Sequence, residues 1–135
     1  MLLQVNTDEF DLNHEIKKNC GNPISLLNRI LYSNFGSSKY KLEKILQSNL
    51  AHQNFNFQES IYTNFDLREM GLVFYFRIKN IEFVEFCSYF SVSFQSNDDN
   101  FTLQTSTSTY QFKILNKRNH INFLKKLYQK KNNNT

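Results

Sequence analysis

Acidic residues are missing from the last part of this chain, because none follows Asp99. The same segment contains seven basic residues and has a net charge of +7, whereas residues 1–99 have a net charge of −3. Such asymmetry indicates either a partner that is itself charged or an ordinary solvated helix face followed by a frayed tail. The sequence leaves both interpretations open.

Other absences exclude whole classes of protein. The chain has only two cysteines, Cys20 and Cys87, and no CxxC pair, which excludes a disulfide scaffold and indicates a reducing compartment. No apolar run reaches membrane-spanning length, and the N-terminal residues lack the basic and apolar regions of a secretion signal. These features predict a soluble, cytoplasmic protein.

The motifs of catalysis and cofactor binding are missing as well. The three glycines are isolated, so no glycine-rich loop is available to hold a phosphate. His14, His52 and His120 have no partner at a zinc-binding spacing. Asp98 and Asp99 are adjacent, but they fall in a predicted turn, where acidic residues serve the turn geometry. We therefore predict no enzyme activity, no metal and no cofactor.

Cysteine chemistry has two interpretations. Cys20 follows Lys17 and Lys18, whose charge would favour the thiolate, and His14 is a nominal base for it. The alternative is an unreactive cysteine in a connecting loop. Cys87 lies among aromatic residues and is predicted to be a small core filler.

Aromatic residues dominate the apolar content. The chain has 14 phenylalanines and 7 tyrosines but no tryptophan. Each buried ring removes a large apolar area from water, so a phenylalanine-rich core can stabilise a small domain. A length of 135 residues predicts one domain over residues 1–131, followed by a frayed tail at 132–135.

The first part of the chain is predicted to be mainly helical. A short strand at 3–5 leads into partly helical residues up to Gly21. Asn22 and Pro23 are typical of a helix start, and Gly36 offers a helix stop. A second helix then begins at Ser37 or Ser38, which completes an αα-hairpin over 22–52. One face of this second helix would contain Leu42, Ile45, Leu46, Asn49 and Leu50.

From Phe55 onward the apolar period changes from 3.6 to 2, which predicts a meander of five or six antiparallel strands. Turns are expected near Arg68–Gly71, at Asn80 and at 96–100. Asn116 is expected to cap a final amphipathic helix. The stripe of this helix would contain Ile121, Leu124, Leu127 and Tyr128, with Phe123 beside it. The predicted fold class is α+β, with helices on one face of a curved antiparallel sheet.

The segment 72–128 has a recognisable order of elements. An alternating meander ends in Tyr110–Ile114, and an amphipathic helix follows that turns Phe123 and Leu124 towards the sheet. In this order the segment resembles the C-terminal half of a bacterial PH-like domain. The resemblance implies a small binding scaffold for proteins or lipid headgroups and transfers no site residues. The helix pair at 22–52 departs from that family, whose helix normally comes last.

Binding of a protein partner is the predicted function. Tyrosine and arginine contribute most to interface energies, and a sheet can present an unpaired edge that accepts a further strand. We therefore predict a non-catalytic intracellular protein-interaction module of the adaptor, inhibitor or toxin-neutralising type. The candidate contact residues are Arg68, Tyr75, Arg77, Lys79, Tyr89 and Tyr110.

Nucleic-acid binding is the alternative function. The second helix of the hairpin would act as the recognition helix of a helix-turn-helix. Its contact residues would be Lys39, Tyr40, Lys41, Lys44, Gln47 and Ser48. The basic C-terminal helix would instead contact nucleic acid or another anionic surface through Lys117, Arg118, Lys125, Lys126, Lys130 and Lys131. The same cations also suit a solvated helix end, because they complement the helix dipole.

Overall fold

The computed structural model describes residues 1–5, 9–22, 39–47 and 59–133. These residues form an α+β structure with nine strands, two α-helices and one 3₁₀ turn, Tyr89–Ser91. The elements are β1 (Leu2–Gln4), α1 (Glu9–Cys20), β2 (Tyr40–Gln47), β3 (Ile61–Thr63), β4 (Phe65–Leu67), β5 (Gly71–Ile78), β6 (Ile81–Ser88), β7 (Ser93–Ser96), β8 (Asn100–Gln104), β9 (Thr109–Ile114) and α2 (Lys117–Asn133).

The strands form two antiparallel sheets rather than the single curved sheet that the sequence predicts. One sheet has the order β1-β6-β5-β4, and the other has the order β3-β2-β9-β8-β7. The chain passes between them at Asn64, which separates β3 from β4. This break turns one predicted strand into two, so the described residues after position 55 contain seven strands instead of five or six. Apolar side chains from both sheets form one shared core.

Local sequence explains the tight hairpins. Lys79 and Asn80 both have positive φ angles, 50° and 65°, and a two-residue turn of this kind matches the twist of the strands that it joins. The pairing of β5 with β6 then runs without interruption from Ile78 opposite Ile81 to Gly71 opposite Ser88. The loop at 97–99 closes the hairpin between β7 and β8. The sequence-based predictions of these two turns are confirmed.

The prediction of a helix at 37–52 is wrong over the described residues, because Tyr40–Gln47 is the strand β2. Pairing of β2 with β9 is irregular between Leu42 and Lys44 and again between Ile45 and Gln47. Each β-bulge inserts an extra residue into the strand. The spacing from Leu42 to Ile45 therefore imitates a helix although both side chains pack on the core. The first helix of the proposed hairpin, at 22–35, lies outside the described residues.

The two helices pack in different places, which corrects the prediction that they share one face of a sheet. In α1, the side chains of Ile16 and Cys20 pack on the outer face of β5 and β6, against Val73, Val84 and Phe86. In contrast, α2 contributes buried side chains to the core between the sheets. The partly helical character predicted for residues 1–21 is confirmed by α1.

The cap of α2 is confirmed, but its buried stripe differs from the prediction. The side-chain oxygen of Asn116 accepts a hydrogen bond from the Asn119 N–H at 3.0 Å. Three residues of α2 are buried: His120, Phe123 and Leu127. Ile121 and Tyr128 are more than half exposed, because only the side of α2 that carries His120, Phe123 and Leu127 packs against the core. The helix continues two residues into the segment 132–135 that is predicted to fray.

Glu85 is a fully buried carboxylate that links the two sheets. Its Oε2 accepts a hydrogen bond from the Tyr110 hydroxyl at 2.7 Å, and its Oε1 lies 2.7 Å from the Met1 amine. Burial raises the pKa of Glu85, although the amine and the tyrosine hydroxyl act in the opposite direction. A buried carboxylate needs such partners, because an unsatisfied one is costly.

Replacing Tyr110 by phenylalanine removes one of these donors while keeping the ring. We expect Tyr110→Phe to lower the free energy of unfolding by about 1–3 kcal/mol, since Glu85 Oε2 loses a hydrogen bond inside the core. Urea unfolding at pH 7 measures this change. The matched control is Tyr62→Phe, because Tyr62 is 45% exposed. Equal stability of the two variants would contradict the structural role of the Tyr110 hydroxyl.

Gly71 lies where β5 approaches both α1 and β6 closely. A side-chain carbon at this position would lie 2.4 Å from the carbonyl oxygen of Cys87 and 2.7 Å from Sγ of Cys20. We expect Gly71→Ala to destabilise the fold by about 1–3 kcal/mol, because the backbone of β6 must shift. The control is Met70→Ala at the neighbouring, exposed position. Unchanged urea unfolding of Gly71→Ala would refute this close packing.

Candidate functional site

The six predicted partner-binding residues do not form one surface. Tyr75 and Arg77 lie on the outer side of β5, and Lys79 lies in the turn that follows. The Arg77 guanidinium forms an exposed ion pair with Glu82 at 3.1 Å. Arg68 is half-buried, donates to the Gly21 carbonyl and pairs with a neighbouring aspartate. It therefore fixes the end of α1 against the β4–β5 turn.

Tyr89 and Tyr110 are core residues, which corrects their assignment to a contact surface. Neither side chain has solvent exposure. The Tyr89 hydroxyl donates to the Arg68 carbonyl at 2.6 Å, and the Tyr110 hydroxyl donates to Glu85. Burial raises the pKa of both phenols. Their polar ends are thus used inside the fold and are not presented to a partner.

Among the described residues, β7 is an edge strand of the five-stranded sheet. Within the described residues, β7 pairs with β8 and with no strand on its other side. The Asn97 N–H donates to the Asn100 carbonyl at 3.0 Å, so the alternation of an antiparallel pair directs the backbone groups of Gln95 towards β8. The N–H and C=O of Phe94 and Ser96 therefore point to the open edge.

Two exposed aromatic side chains lie beside this edge. Phe90, in the 3₁₀ turn, is 77% exposed, and Tyr128 on α2 is 56% exposed. The Tyr128 ring packs edge-on against Phe94, with 4.8 Å between the ring centroids. Lys131 on α2 donates to the carbonyls of Tyr89 and Val92, which ties the helix to the chain just before β7. We refer to the edge of β7 together with Phe90, Tyr128 and Lys131 as the β7–α2 surface.

The exposure of Phe90 could not be predicted from the sequence, because the alternation of inward and outward side chains shifts at the 3₁₀ turn. Strict alternation along 90–95 places Phe90 on the inner face together with Val92. The 3₁₀ turn instead buries Tyr89 and Val92 and exposes Phe90. Nothing in the local sequence signals this turn, because tyrosine, phenylalanine and serine are also common in strands.

The six basic residues predicted to contact an anion all lie on α2. Lys117 and Arg118, in its first turn, and Lys125, near its middle, are exposed. Lys126, Lys130 and Lys131 are half-buried, and the last of these bonds to backbone carbonyls. The helix contains no acidic residue. It therefore adds positive charge beside the β7–α2 surface.

The residues predicted to form a DNA recognition helix lie elsewhere than on a helix. Tyr40, Lys41, Lys44 and Gln47 belong to the strand β2, and Tyr40 is buried. Lys39 precedes the strand, while Ser48 lies outside the described residues. A strand cannot present these side chains as a recognition helix does. The helix-turn-helix interpretation is therefore wrong.

A buried histidine joins α2 to the strands β2 and β7 of the five-stranded sheet. His120 Nδ1 lies 2.5 Å from the Tyr40 hydroxyl, and Nε2 lies 2.7 Å from Ser96 Oγ. Ser96 Oγ also donates to the Asn97 carbonyl at 3.1 Å. The tautomer that satisfies every group has Tyr40 donating to Nδ1 and Nε2–H donating to Ser96. In this tautomer the serine accepts from the histidine, so His120 does not act as a base for Ser96.

The cysteines show no sign of activation. Cys20 is the last residue of α1 rather than part of a loop, and it is buried. Burial raises the pKa of its thiol to about 11, which outweighs the positive charges nearby. A thiolate favoured by Lys17 and Lys18 is thus contradicted. Cys87 belongs to the main core cluster, as predicted.

In the described segments, no group of three or more His, Cys, Asp or Glu side chains is arranged to hold a metal ion. Within the same ranges, neither helix combines the length and the apolarity that crossing a bilayer requires. Comparisons with models of known protein families, with curated proteins and with solved structures find no match.

The His120 network makes a pH-dependent contribution to stability. Burial lowers the pKa of His120 below its usual 6.5, so the unfolded chain binds a proton more readily than the folded one. The neutral His120 therefore contributes to the free energy of unfolding above pH 6.5, and this contribution is lost as the pH falls through the lowered pKa of His120. We expect the loss of unfolding free energy between pH 7.5 and 5.5 to be smaller in His120→Gln than in the wild type.

Urea unfolding at the two pH values measures this difference. His14→Gln is the matched control, because His14 is exposed on α1 and should keep the wild-type pH dependence. Equal losses in all three proteins would show that His120 has no role in the pH response.

Proposed function

We propose that this chain is a non-catalytic, intracellular protein-interaction module, and that its partner adds an extended segment to the open edge of β7. One observation carries the proposal: β8 is the only strand that pairs with β7 among the described residues, and the backbone groups of Phe94 and Ser96 point away from it. Such an edge is a template for a further strand. The adaptor, inhibitor and toxin-neutralising classes all fit this binding mode.

The side chains beside the edge support a particular kind of partner. Phe90 and Tyr128 provide exposed rings, and aromatic side chains of this kind are frequent anchors of interfaces. The lysines of α2 provide a positive field without any acidic residue on that helix. The partner segment is therefore expected to carry an apolar side chain for the two rings and acidic residues that face α2.

Two features support the non-catalytic part of the proposal. The hydrogen bonds of His120 are all used structurally, with Ser96 as an acceptor. Both cysteine thiols have a raised pKa because they are buried. A nucleophile requires a positioned base or a lowered pKa, and neither condition is met at these residues.

We also propose a PH-like arrangement for the segment from β2 to α2. Its first strand, β2, pairs with both β3 and β9, and a helix follows the last strand. This order extends the resemblance of residues 72–128 towards the N-terminus. On this proposal, β1 and α1 are additions that cover one edge and the outer face of the β6–β5 pair.

Site-specific photo-crosslinking tests the proposed function. A benzoylphenylalanine that replaces Phe90 keeps an aromatic ring at the β7–α2 surface, and the same group at Ile81, which is 42% exposed in the β5–β6 hairpin, is the control. In the native cell we expect position 90 to crosslink one protein through an extended segment, and position 81 to crosslink none.

A synthetic peptide of the crosslinked segment then measures the contribution of each ring. We expect Phe90→Ala and Tyr128→Ala each to weaken peptide binding by about 30-fold, which corresponds to a hot spot of about 2 kcal/mol. Ile81→Ala should stay within twofold of the wild type. No crosslink from position 90, or equal crosslinking from both positions, would contradict the proposal.

A further inference from the structure

The outer face of the five-stranded sheet is not covered by either helix of the described residues. The side chains of α1 pack on the other sheet, and α2 contributes its buried side to the space between the sheets. Alternate residues of β8 and β9 therefore face outward as polar side chains, namely Asn100, Thr102, Gln104, Thr109, Gln111 and Lys113. The function proposed above concerns the edge of β7 and leaves this face without a role.

A row of aligned side chains concentrates positive charge on this face. The strand register places Lys41 of β2 directly opposite Tyr62 of β3 on one side and Lys113 of β9 on the other. Asn100 of β8 follows as the next member of the row. Like charges directly opposite each other destabilise a sheet. A negatively charged ligand that lies across the row would relieve this repulsion.

A cleft with two tyrosines lies at the end of the row. It has a volume of about 340 Å³ and is lined by Lys39, Tyr62, Thr63, Asn64 and Tyr75. Tyr62 and Tyr75 are 45% and 39% exposed, and the Lys39 ammonium lies 5.1 Å from the centre of the Tyr62 ring. Thr63 Oγ1 donates to the Tyr75 carbonyl at 2.6 Å, which holds the two sheets together at the cleft.

The charges around the face are mostly of one sign. On the five strands of this sheet the basic residues are Lys41, Lys44 and Lys113, and Glu43 is the single acidic residue. Asp98 and Asp99 lie in the loop at one end of β8. None of the three lysines forms an ion pair with another described residue. Their charge is thus available to a ligand.

We propose that this face binds single-stranded nucleic acid. The bases stack on Tyr62, and the phosphates lie along Lys39, Lys41 and Lys113. Stacking on aromatic side chains requires unpaired bases, which favours a single strand over a duplex. The glutamine, threonine and asparagine side chains of β8 and β9 supply donors and acceptors for base edges. Five strands spaced by about 4.8 Å span about 19 Å, which accommodates a short oligonucleotide.

The test measures fluorescence anisotropy of labelled dT12 and U12 with the whole chain at 50 to 200 mM salt. We expect binding of both oligonucleotides that weakens as salt increases, and much weaker binding of a duplex of the same length. The double variant Lys41→Gln/Lys113→Gln should lose at least tenfold in affinity. Its salt slope should decrease by about 1.4, because each phosphate contact on a single strand contributes about 0.7.

A charge-matched control separates this face from the basic helix. Lys117→Gln/Lys125→Gln removes the same charge from exposed positions of α2 and should stay within about twofold of the wild type. Tyr62→Ala should weaken binding by about 5- to 100-fold, whereas Tyr62→Phe, which keeps the stacking ring, should bind like the wild type.

Several outcomes would overturn the inference. They are no binding by the wild type at 50 mM salt, an equal loss in the control double variant, wild-type affinity of Tyr62→Ala, or tighter binding to phosphatidylserine vesicles than to the oligonucleotides. The inference fails separately from the proposed function, because Phe90 and Tyr128 lie outside this face. Lys41→Gln/Lys113→Gln should bind the partner peptide normally.

Discussion

The packing of aromatic rings around Phe65 is the interaction on which the rest of this structure depends. Among the described residues, five rings from both sheets and from α2 lie 4.9 to 5.9 Å from the ring of Phe65. Phe123 of α2 stacks on it at 5.2 Å, and Phe112 of β9 meets it edge-on at 5.1 Å. Ring pairs of this geometry add to the free energy of apolar burial. One side chain on the short strand β4 thus joins the two sheets and anchors the closing helix.

Two surfaces lie outside this core, namely the edge of β7 and the outer face of the five-stranded sheet. Because Phe123 and Leu127 hold α2 between the sheets, the helix carries its lysines and Tyr128 to one side of β7 without covering the outer face of the five-stranded sheet. The backbone N–H and C=O groups at the edge of β7 suit a protein segment. The outer face has Lys41, Lys113 and Tyr62 in register, which suits an anion with planar rings. The two proposals therefore concern different ligands on different surfaces of the fold.

Part of the second half of the chain could be predicted from its period of two, because β8 and β9 bury every second residue and short turns join the hairpins β5–β6 and β7–β8. The strand β2 could not, because its two bulges shift Leu42 and Ile45 to a helix-like spacing. The burial of Tyr89 and Tyr110 could not be predicted either, because a sequence does not indicate which tyrosine hydroxyls donate to buried acceptors. The row of Lys41 and Lys113 was also missed, since a strand register joins residues that are 72 positions apart.

The central claim is that the edge of β7 is open to a partner strand, and amide hydrogen exchange measured by NMR tests it most directly. In the isolated protein, the N–H of Gln95 should be protected because it points towards β8, whereas those of Phe94 and Ser96 should exchange quickly. Slow exchange at all three positions in the isolated protein would mean that the edge is already covered, and it would contradict the account.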